Sequence, residues 1–106
     1  MPRAKFQTLT EQMFYVLLCQ REECCGMDIL DRVPAMTEER VHVGSGTLYD
    51  LLDQFLAAGM IRLTRVEGRR RSYILTDKGR EALEKEYRRI RAHADDYDRW
   101  MKEERT

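Results

Sequence analysis

The chain has 106 residues, 42% of them hydrophobic and 36% charged, and its 19 basic side chains balance its 19 acidic ones. This length fits one small domain, and the composition is that of an ordinary soluble protein rather than a disordered chain. No apolar run approaches the roughly 18 residues that cross a bilayer, and the basic N-terminus leads into no long apolar stretch. We therefore expect a cytoplasmic protein without a membrane span or a secretory signal.

The charges are distributed unevenly along the chain. Residues 1–61 carry 5 basic and 9 acidic side chains, residues 62–91 carry 11 and 5, and residues 92–106 carry 3 and 5. Attraction to phosphate depends on the local patch, within about 10 Å of screening length, and not on the total charge. The middle segment is therefore a candidate for contact with a polyanion, although the net charge is zero.

The first periodic segment predicts a helix from about Leu9 to Gln20. Thr8 and Glu11 have the spacing of a capping box, in which the hydroxyl and the carboxylate satisfy each other's free amides. A short second helix is expected to follow around Met27, and we expect Pro34 and the segment from Met36 to Glu38 to bring it to an end. A loop then covers residues 38–44.

A third helix is expected to begin at Ser45, acting as its N-terminal cap, and to run to about Ala58, where Gly59 stops it. Its apolar residues are spaced three, four and seven apart and form one stripe. These residues are Leu48, Leu51, Leu52, Phe55 and Leu56.

After Gly59 the apolar residues alternate with a period near two, which is typical of a strand. Residues 61–66 and 71–75 are expected to pair as a β-hairpin around a turn at Glu67 and Gly68. Thr76 and Asp77 are expected to cap a last helix, which runs from about Arg80 toward the C-terminus.

This order of elements predicts a mainly α protein with a β-hairpin (α+β), namely a winged helix-turn-helix followed by a long C-terminal helix. We expect residues 1–78 to form the winged domain and residues 79–106 to form a dimerisation helix. An isolated hairpin is marginally stable in water, so this one is expected to pack on the apolar stripe of the third helix.

The predicted fold points to duplex DNA as the partner. The leading residues of the third helix would approach the major groove, and glycines beside Ser45 would let a phosphate come close to the free amides there. Consecutive arginines at the hairpin turn would meet phosphates or a narrow minor groove. The candidate DNA contacts are Ser45, Gly46, Thr47, Tyr49, Arg69, Arg70, Arg71 and, before the first helix, Lys5.

Asp50 and Asp53 do not fit this picture easily, because both lie on or near the exposed side of the third helix and a carboxylate is repelled by phosphate. Three roles stay open for them. The first is that they point to the flank of the helix, the second that they pair with neighbouring arginines, and the third that one of them accepts a hydrogen bond from a cytosine amine.

Three cysteines, Cys19, Cys24 and Cys25, show neither a disulfide framework nor the spacing of a zinc site. We expect small, semi-buried thiols in a reducing compartment, and a thiol or metal sensor stays the alternative. His42 and His93 are far apart, and the sequence holds no Ser/His/Asp set, phosphate loop or metal cluster. We expect no enzyme activity, no cofactor and no metal site.

Two blocks of this sequence resemble the PadR-like family of transcriptional regulators. The first runs from Gly44 to Tyr49 and contains G-T-L-Y, and the second runs from Gly68 to Gly79 and reads G-R-R-x-x-Y-x-L-T-x-x-G. The resemblance covers about the first 80 residues. It implies a winged domain with one C-terminal dimerisation helix, DNA contacts at Thr47, Tyr49 and the arginines of the wing, and the role of a repressor.

The last helix carries an apolar seam spaced four and three residues apart, which is typical of a coiled coil. The seam consists of Leu83, Tyr87, Ile90, Ala94, Tyr97 and Met101. It predicts a homodimer, whose two-fold symmetry would match a palindromic operator. For Trp100 two roles stay open: a packing anchor at the dimer interface or, as the resemblance implies, a surface on which a flat hydrophobic or aromatic inducer stacks.

A second function class also stays open. The acidic N-terminal half and the two aspartates of the third helix would suit a winged-helix module for protein–protein contact, an adaptor or antagonist without strong DNA affinity.

Overall fold

The computed structural model describes the backbone of residues 8–105 and the side chains of residues 8–102. The elements in chain order are α1 (Glu11–Cys19), β1 (Cys24–Cys25), α2 (Gly26–Met36), α3 (Ser45–Ala57), β2 (Ile61–Glu67), β3 (Arg70–Leu75) and α4 (Asp77–Arg105). No helix in this part of the chain combines the length and the apolar character that crossing a membrane requires.

The predicted hairpin is present and forms the wing, since β2 and β3 pair antiparallel. A short third strand, which the sequence did not predict, pairs with the other edge of β3, so the sheet has the order β1-β3-β2. Strand β1 pairs Cys24 with Tyr73 and Cys25 with Ser72. The sequence pattern missed β1 because a strand of two residues is too short to show a period. Its pairing ties the wing to the start of α2.

Two predicted helix caps are wrong by one or two residues. The cap of α1 is Thr10, whose hydroxyl accepts from the amide of Met13, rather than Thr8. The cap of α3 is Gly44, and Ser45 is already the first helical residue. Pro34 lies inside α2, which continues to Met36. A proline removes one helical hydrogen bond, and this loss is small so close to the end of the helix.

Gly59 ends α3 as predicted, with a φ of 75° that a residue with a side chain rarely adopts. Its amide donates to the carbonyl of Leu56, and the amide of Met60 donates to that of Phe55. The chain thereby turns directly into β2.

The core lies where α1, α2 and α3 meet the sheet. The predicted stripe of α3 supplies much of it, since Leu48, Leu51, Leu52 and Phe55 are all buried. Leu56 departs from the prediction and is partly exposed at the surface. Tyr73 and Leu75 of β3 close the core from the sheet side, so the wing packs on the helices as expected.

Only the first turns of α4 belong to this core. The Thr76 hydroxyl accepts a hydrogen bond from the amide of Gly79 and donates one to the carbonyl of Gly59. These two hydrogen bonds fix the start of the helix. Ala82 and Leu83 pack against the core, whereas residues 87–100 are exposed throughout. The helix therefore projects from the domain, and the molecule measures 61 Å in its longest direction.

Candidate nucleic-acid interface

The leading turn of α3 is open to solvent. Ser45, Gly46 and Thr47 are exposed, and among the described residues no side chain caps the free amides at this end of the helix. A methyl group added at Gly44 or Gly46 would meet no other atom within 4 Å. An anion can therefore approach these amides closely, as helix N-termini generally permit.

Tyr49 lies one turn further along and is 48% exposed. Its ring rests on Gly26 at the start of α2, so closely that a methyl group there would lie 2.8 Å from the Tyr49 Cε1 atom. About half of the Tyr49 surface nevertheless stays in contact with solvent. Gly26 was not singled out from the sequence, where it only marks a break between two helices.

The wing ends in a two-residue turn formed by Gly68 and Arg69. Gly68 has a φ of 63°, which suits the first central position of the tight hairpin turns that match strand twist. The turn therefore lies one residue later than predicted. Since side chains alternate along a strand, Arg71 lies on the same face of β3 as the buried Tyr73, and Arg70 lies on the opposite face.

A groove of about 850 Å³ separates α3 from the wing. Tyr49 and Asp53 line it from α3, Gly26 and Met27 from the start of α2, and residues 68–71 from the wing. The structure thus brings Tyr49 and the three predicted arginines to one concave surface. Of the other predicted contacts, Ser45, Gly46 and Thr47 do not line this groove, and Lys5 lies outside the described residues.

The two aspartates of α3 have different surroundings. The Asp50 carboxylate accepts a hydrogen bond of 2.8 Å from the side-chain amide of Gln54, one turn along the same helix. Asp53 lines the groove beside the wing arginines. In the part of the chain that the structure describes, no hydrogen bond or ion pair engages the side chains of Arg69 or Arg71.

A small polar network, which was not predicted from the sequence, joins the wing to α2. Nε of Arg70 donates to Sγ of Cys25 over 3.3 Å, and the Cys25 thiol donates to Oδ2 of Asp28 over 3.2 Å. The backbone amide of Cys25 donates to the same oxygen over 3.1 Å. The hydrogen bond from the Cys25 amide and, with a smaller effect, that from the Cys25 thiol lower the pKa of Asp28. The contact between Arg70 and Cys25 raises the pKa of Arg70.

The other two cysteines belong to the core. Cys19 and Cys24 are fully or nearly fully buried, where semi-buried thiols were expected, and all three cysteines are free thiols. Burial raises the pKa of Cys19, and it raises that of Cys24 to about 12. Both stay protonated at neutral pH, which makes them weak nucleophiles and poor metal ligands.

The seam of α4 is mostly exposed. Tyr87, Ile90 and Tyr97 are large apolar side chains that lie about half or more in solvent, and Ala94 beside them is exposed as well. Leu83 differs, because it packs against the domain's own core, and Met101 is half-buried. Trp100 is 60% exposed, with the Arg99 guanidinium 5.6 Å from the ring centroid.

Solved structures with the same fold include several regulators of transcription. A transcriptional regulator from Clostridium thermocellum has a TM-score of 0.70 and 18% identity, over 84% of this chain and 90% of that one. A PadR family transcription regulator from Clostridium difficile has a TM-score of 0.68 and 20% identity, over 85% and 96%. Bacillus subtilis PadR, solved in complex with operator DNA, has a TM-score of 0.63 and 21% identity, over 73% of this chain and 46% of that one.

These similarities define the class as winged helix-turn-helix proteins. No curated protein matches the chain. A sequence model of the transcriptional regulator PadR-like family matches residues 15–85, and the chain belongs to this family. The resemblance seen in the two sequence blocks is thereby confirmed.

Proposed function

We propose that this family member represses transcription by binding a palindromic operator as a homodimer, through the leading turn of α3 and the arginines of the wing. The observation that carries the proposal is the shared groove, which Tyr49 borders on one side and residues 69–71 on the other. A duplex edge seated there would meet aromatic and cationic side chains together.

The leading turn of α3 supports a close approach of the backbone of DNA. No side chain within residues 8–102 caps its amides, and no atom of that part of the chain lies within 4 Å of a methyl group added at either glycine beside Ser45. Thr47 and Tyr49 would then reach base edges or phosphates from the exposed side of the helix. Bacillus subtilis PadR, which has the same fold, was solved in complex with operator DNA, and this supports DNA as the partner.

The exposed seam of α4 supports the homodimer. Tyr87, Ile90, Ala94 and Tyr97 follow one stripe of a helix that is otherwise strongly charged. A polar helix with a single apolar stripe gains most of its stability by packing that stripe on a partner, and an identical helix offers the same spacing. Leu83 would then pack at the end of the seam that lies against its own domain, and Met101 would pack at the far end of the seam.

Two-fold symmetry would present two copies of α3 to half-sites about one turn of DNA apart. Trp100 flanks the seam near Tyr97, so a flat hydrophobic or aromatic inducer stacked on it would act at the dimer interface. This part of the proposal is tested by titrating such compounds and following both tryptophan fluorescence and release of DNA.

DNA binding is tested by recovering genomic fragments with the purified protein and by fluorescence anisotropy on the recovered and on random duplexes. The proposal expects enrichment of palindromic sites and binding to them at least a thousandfold tighter than to random DNA, roughly the lower end for specific regulators. Absence of binding at low salt, together with capture of a protein partner, would instead favour a module for protein–protein contact. A reporter placed behind a recovered site distinguishes repression from activation.

A further inference from the structure

Arg70 differs from its two neighbours in the wing because one edge of its guanidinium is already held. Nε donates to Sγ of Cys25, and the Cys25 thiol in turn donates to the carboxylate of Asp28. The contact joins residues 45 positions apart in the sequence. Arg69 and Arg71 have no such hold among the described residues.

The sulfur that holds Arg70 is fixed by the backbone. Cys25 is a strand residue paired with Ser72 and is also the residue that precedes α2, and its side chain is buried. Cross-strand partners share one face of a sheet, and Arg70 lies on the same face of β3 as Ser72, two residues away. The register of β1 therefore sets Cys25 diagonally across from Arg70, within reach of its Nε.

The outer edge of the same guanidinium is free. An arginine has five N–H donors in a planar fork, of which Nε supplies one. In the described part of the chain no acceptor engages the two terminal nitrogens of Arg70, and the residue is exposed at the rim of the groove. A planar group held on one edge presents the other edge in a restricted orientation.

We infer that Cys25 and Asp28 are positioning residues for Arg70: they hold its Nε edge so that its terminal nitrogens face a phosphate of the bound duplex. The inference rests on the proposed DNA-binding function. An unheld arginine loses side-chain freedom when it binds, and holding it beforehand removes part of that cost. Arg70 then binds with a smaller entropic loss than Arg69 or Arg71.

A double-mutant cycle in DNA affinity tests the inference, using an operator duplex over a series of salt concentrations. Arg70→Ala is expected to reduce the salt slope by about 1.8, since a dimer loses two phosphate contacts of about 0.9 each. Cys25→Ala is expected to weaken binding about three- to tenfold at an unchanged slope, because the charge stays but its orientation is lost. In the Arg70→Ala background, Cys25→Ala is expected to cause no further loss.

Cys25→Ser provides the conservative comparison, since a hydroxyl can also donate to Asp28 and accept from Arg70, and it is expected to restore most of the affinity. Asp28→Asn should weaken binding, whereas Asp31→Asn, an exposed change one turn along α2, should not. Equal losses from Cys25→Ala in both backgrounds, or an unchanged slope in Arg70→Ala, would overturn the positioning role. Failure of the unaltered protein to bind any duplex at low salt would overturn the proposed function itself.

Discussion

Gly79 is the point where α4 touches the backbone that leads into β2. A methyl group at this position would overlap the carbonyl oxygen of Met60 and a methyl group of Leu75. The same Met60 carbonyl accepts from the amide of Thr76, so neither side can move away without breaking a hydrogen bond. The absence of a side chain therefore sets how closely the last helix packs on the domain.

We predict that Gly79→Ala destabilises the protein by about 2–4 kcal/mol, although alanine favours a helix over glycine by about 1 kcal/mol. The measurement is urea unfolding. Gly46→Ala serves as the control, because a methyl group there meets nothing and should change stability by about 1 kcal/mol or less in the favourable direction. Equal stability of Gly79→Ala and the unaltered protein would refute this account of the packing.

Glu86 is a buried carboxylate that ties the last helix to the start of α1. It accepts a bidentate contact from the Arg89 guanidinium and a hydrogen bond from the backbone amide of Leu9. The Arg89 contact is the main reason that the pKa of Glu86 lies below its usual value of 4.5. The carboxylate thus stabilises the folded state above pH 4.5, and this contribution is lost as the pH falls through the lowered folded-state pKa.

Glu86→Gln should therefore reduce the free energy of unfolding at pH 7 by about 1–3 kcal/mol and also flatten its decline below pH 4.5. Unfolding curves at a series of pH values from 7 to 3 measure both effects. Glu84→Gln is the matched control, since Glu84 is exposed and its pair with Arg88 is worth about 1 kcal/mol or less. An unchanged pH profile in Glu86→Gln would contradict the assignment.

At the scale of elements, the periodic patterns predicted all four helices and the two long strands. These elements could be predicted because each buries one apolar face with its own period, as Leu48, Leu52 and Phe55 do for α3. The helix ends were less predictable. Thr8 and Thr10 are both suitable caps in the sequence, and the structure gives this role to Thr10, whose hydroxyl accepts from the amide of Met13.

Strand β1 could not be predicted, because two cysteines before a glycine carry no strand period. It forms because β3 offers an unpaired edge at Ser72 and Tyr73. The contact between Cys25 and Arg70 depends on that pairing, so the most specific part of the candidate site was also missed. The proximity of Tyr49 to the wing arginines, in contrast, could be predicted, because the order of the elements places the hairpin beside α3.

The seam of α4 yields a prediction about assembly. Ala94 lies on the seam and Ala92 on the opposite side of the same helix, and both are exposed. Ala94→Asp should abolish or strongly weaken the proposed homodimer by burying a charge in it, whereas Ala92→Asp should leave it intact. Both changes cost the same helix propensity, so light scattering after gel filtration compares them directly. Identical masses for the two variants would argue against this seam as the interface.

At the scale of the whole molecule, the basic and acidic segments of the sequence correspond to different elements of the fold. The most basic segment, residues 62–91, includes both long strands of the wing and the first half of α4. Excess negative charge lies in the N-terminal part and in the last turns of α4. The net charge of zero is therefore the sum of a positive region and two negative ones, and the positive region would be attracted to a DNA duplex.

The role of the wing arginines in DNA binding is measured by the salt dependence of operator binding, with Arg71→Ala compared against Arg62→Ala. The two arginines are both exposed, but Arg62 pairs with Ile74 at the base of the hairpin, away from the turn. Arg71→Ala is expected to make the negative slope of log K against log salt shallower by about 1.8 for a dimer, while Arg62→Ala leaves it near that of the unaltered protein. Equal slopes for all three proteins would contradict this role.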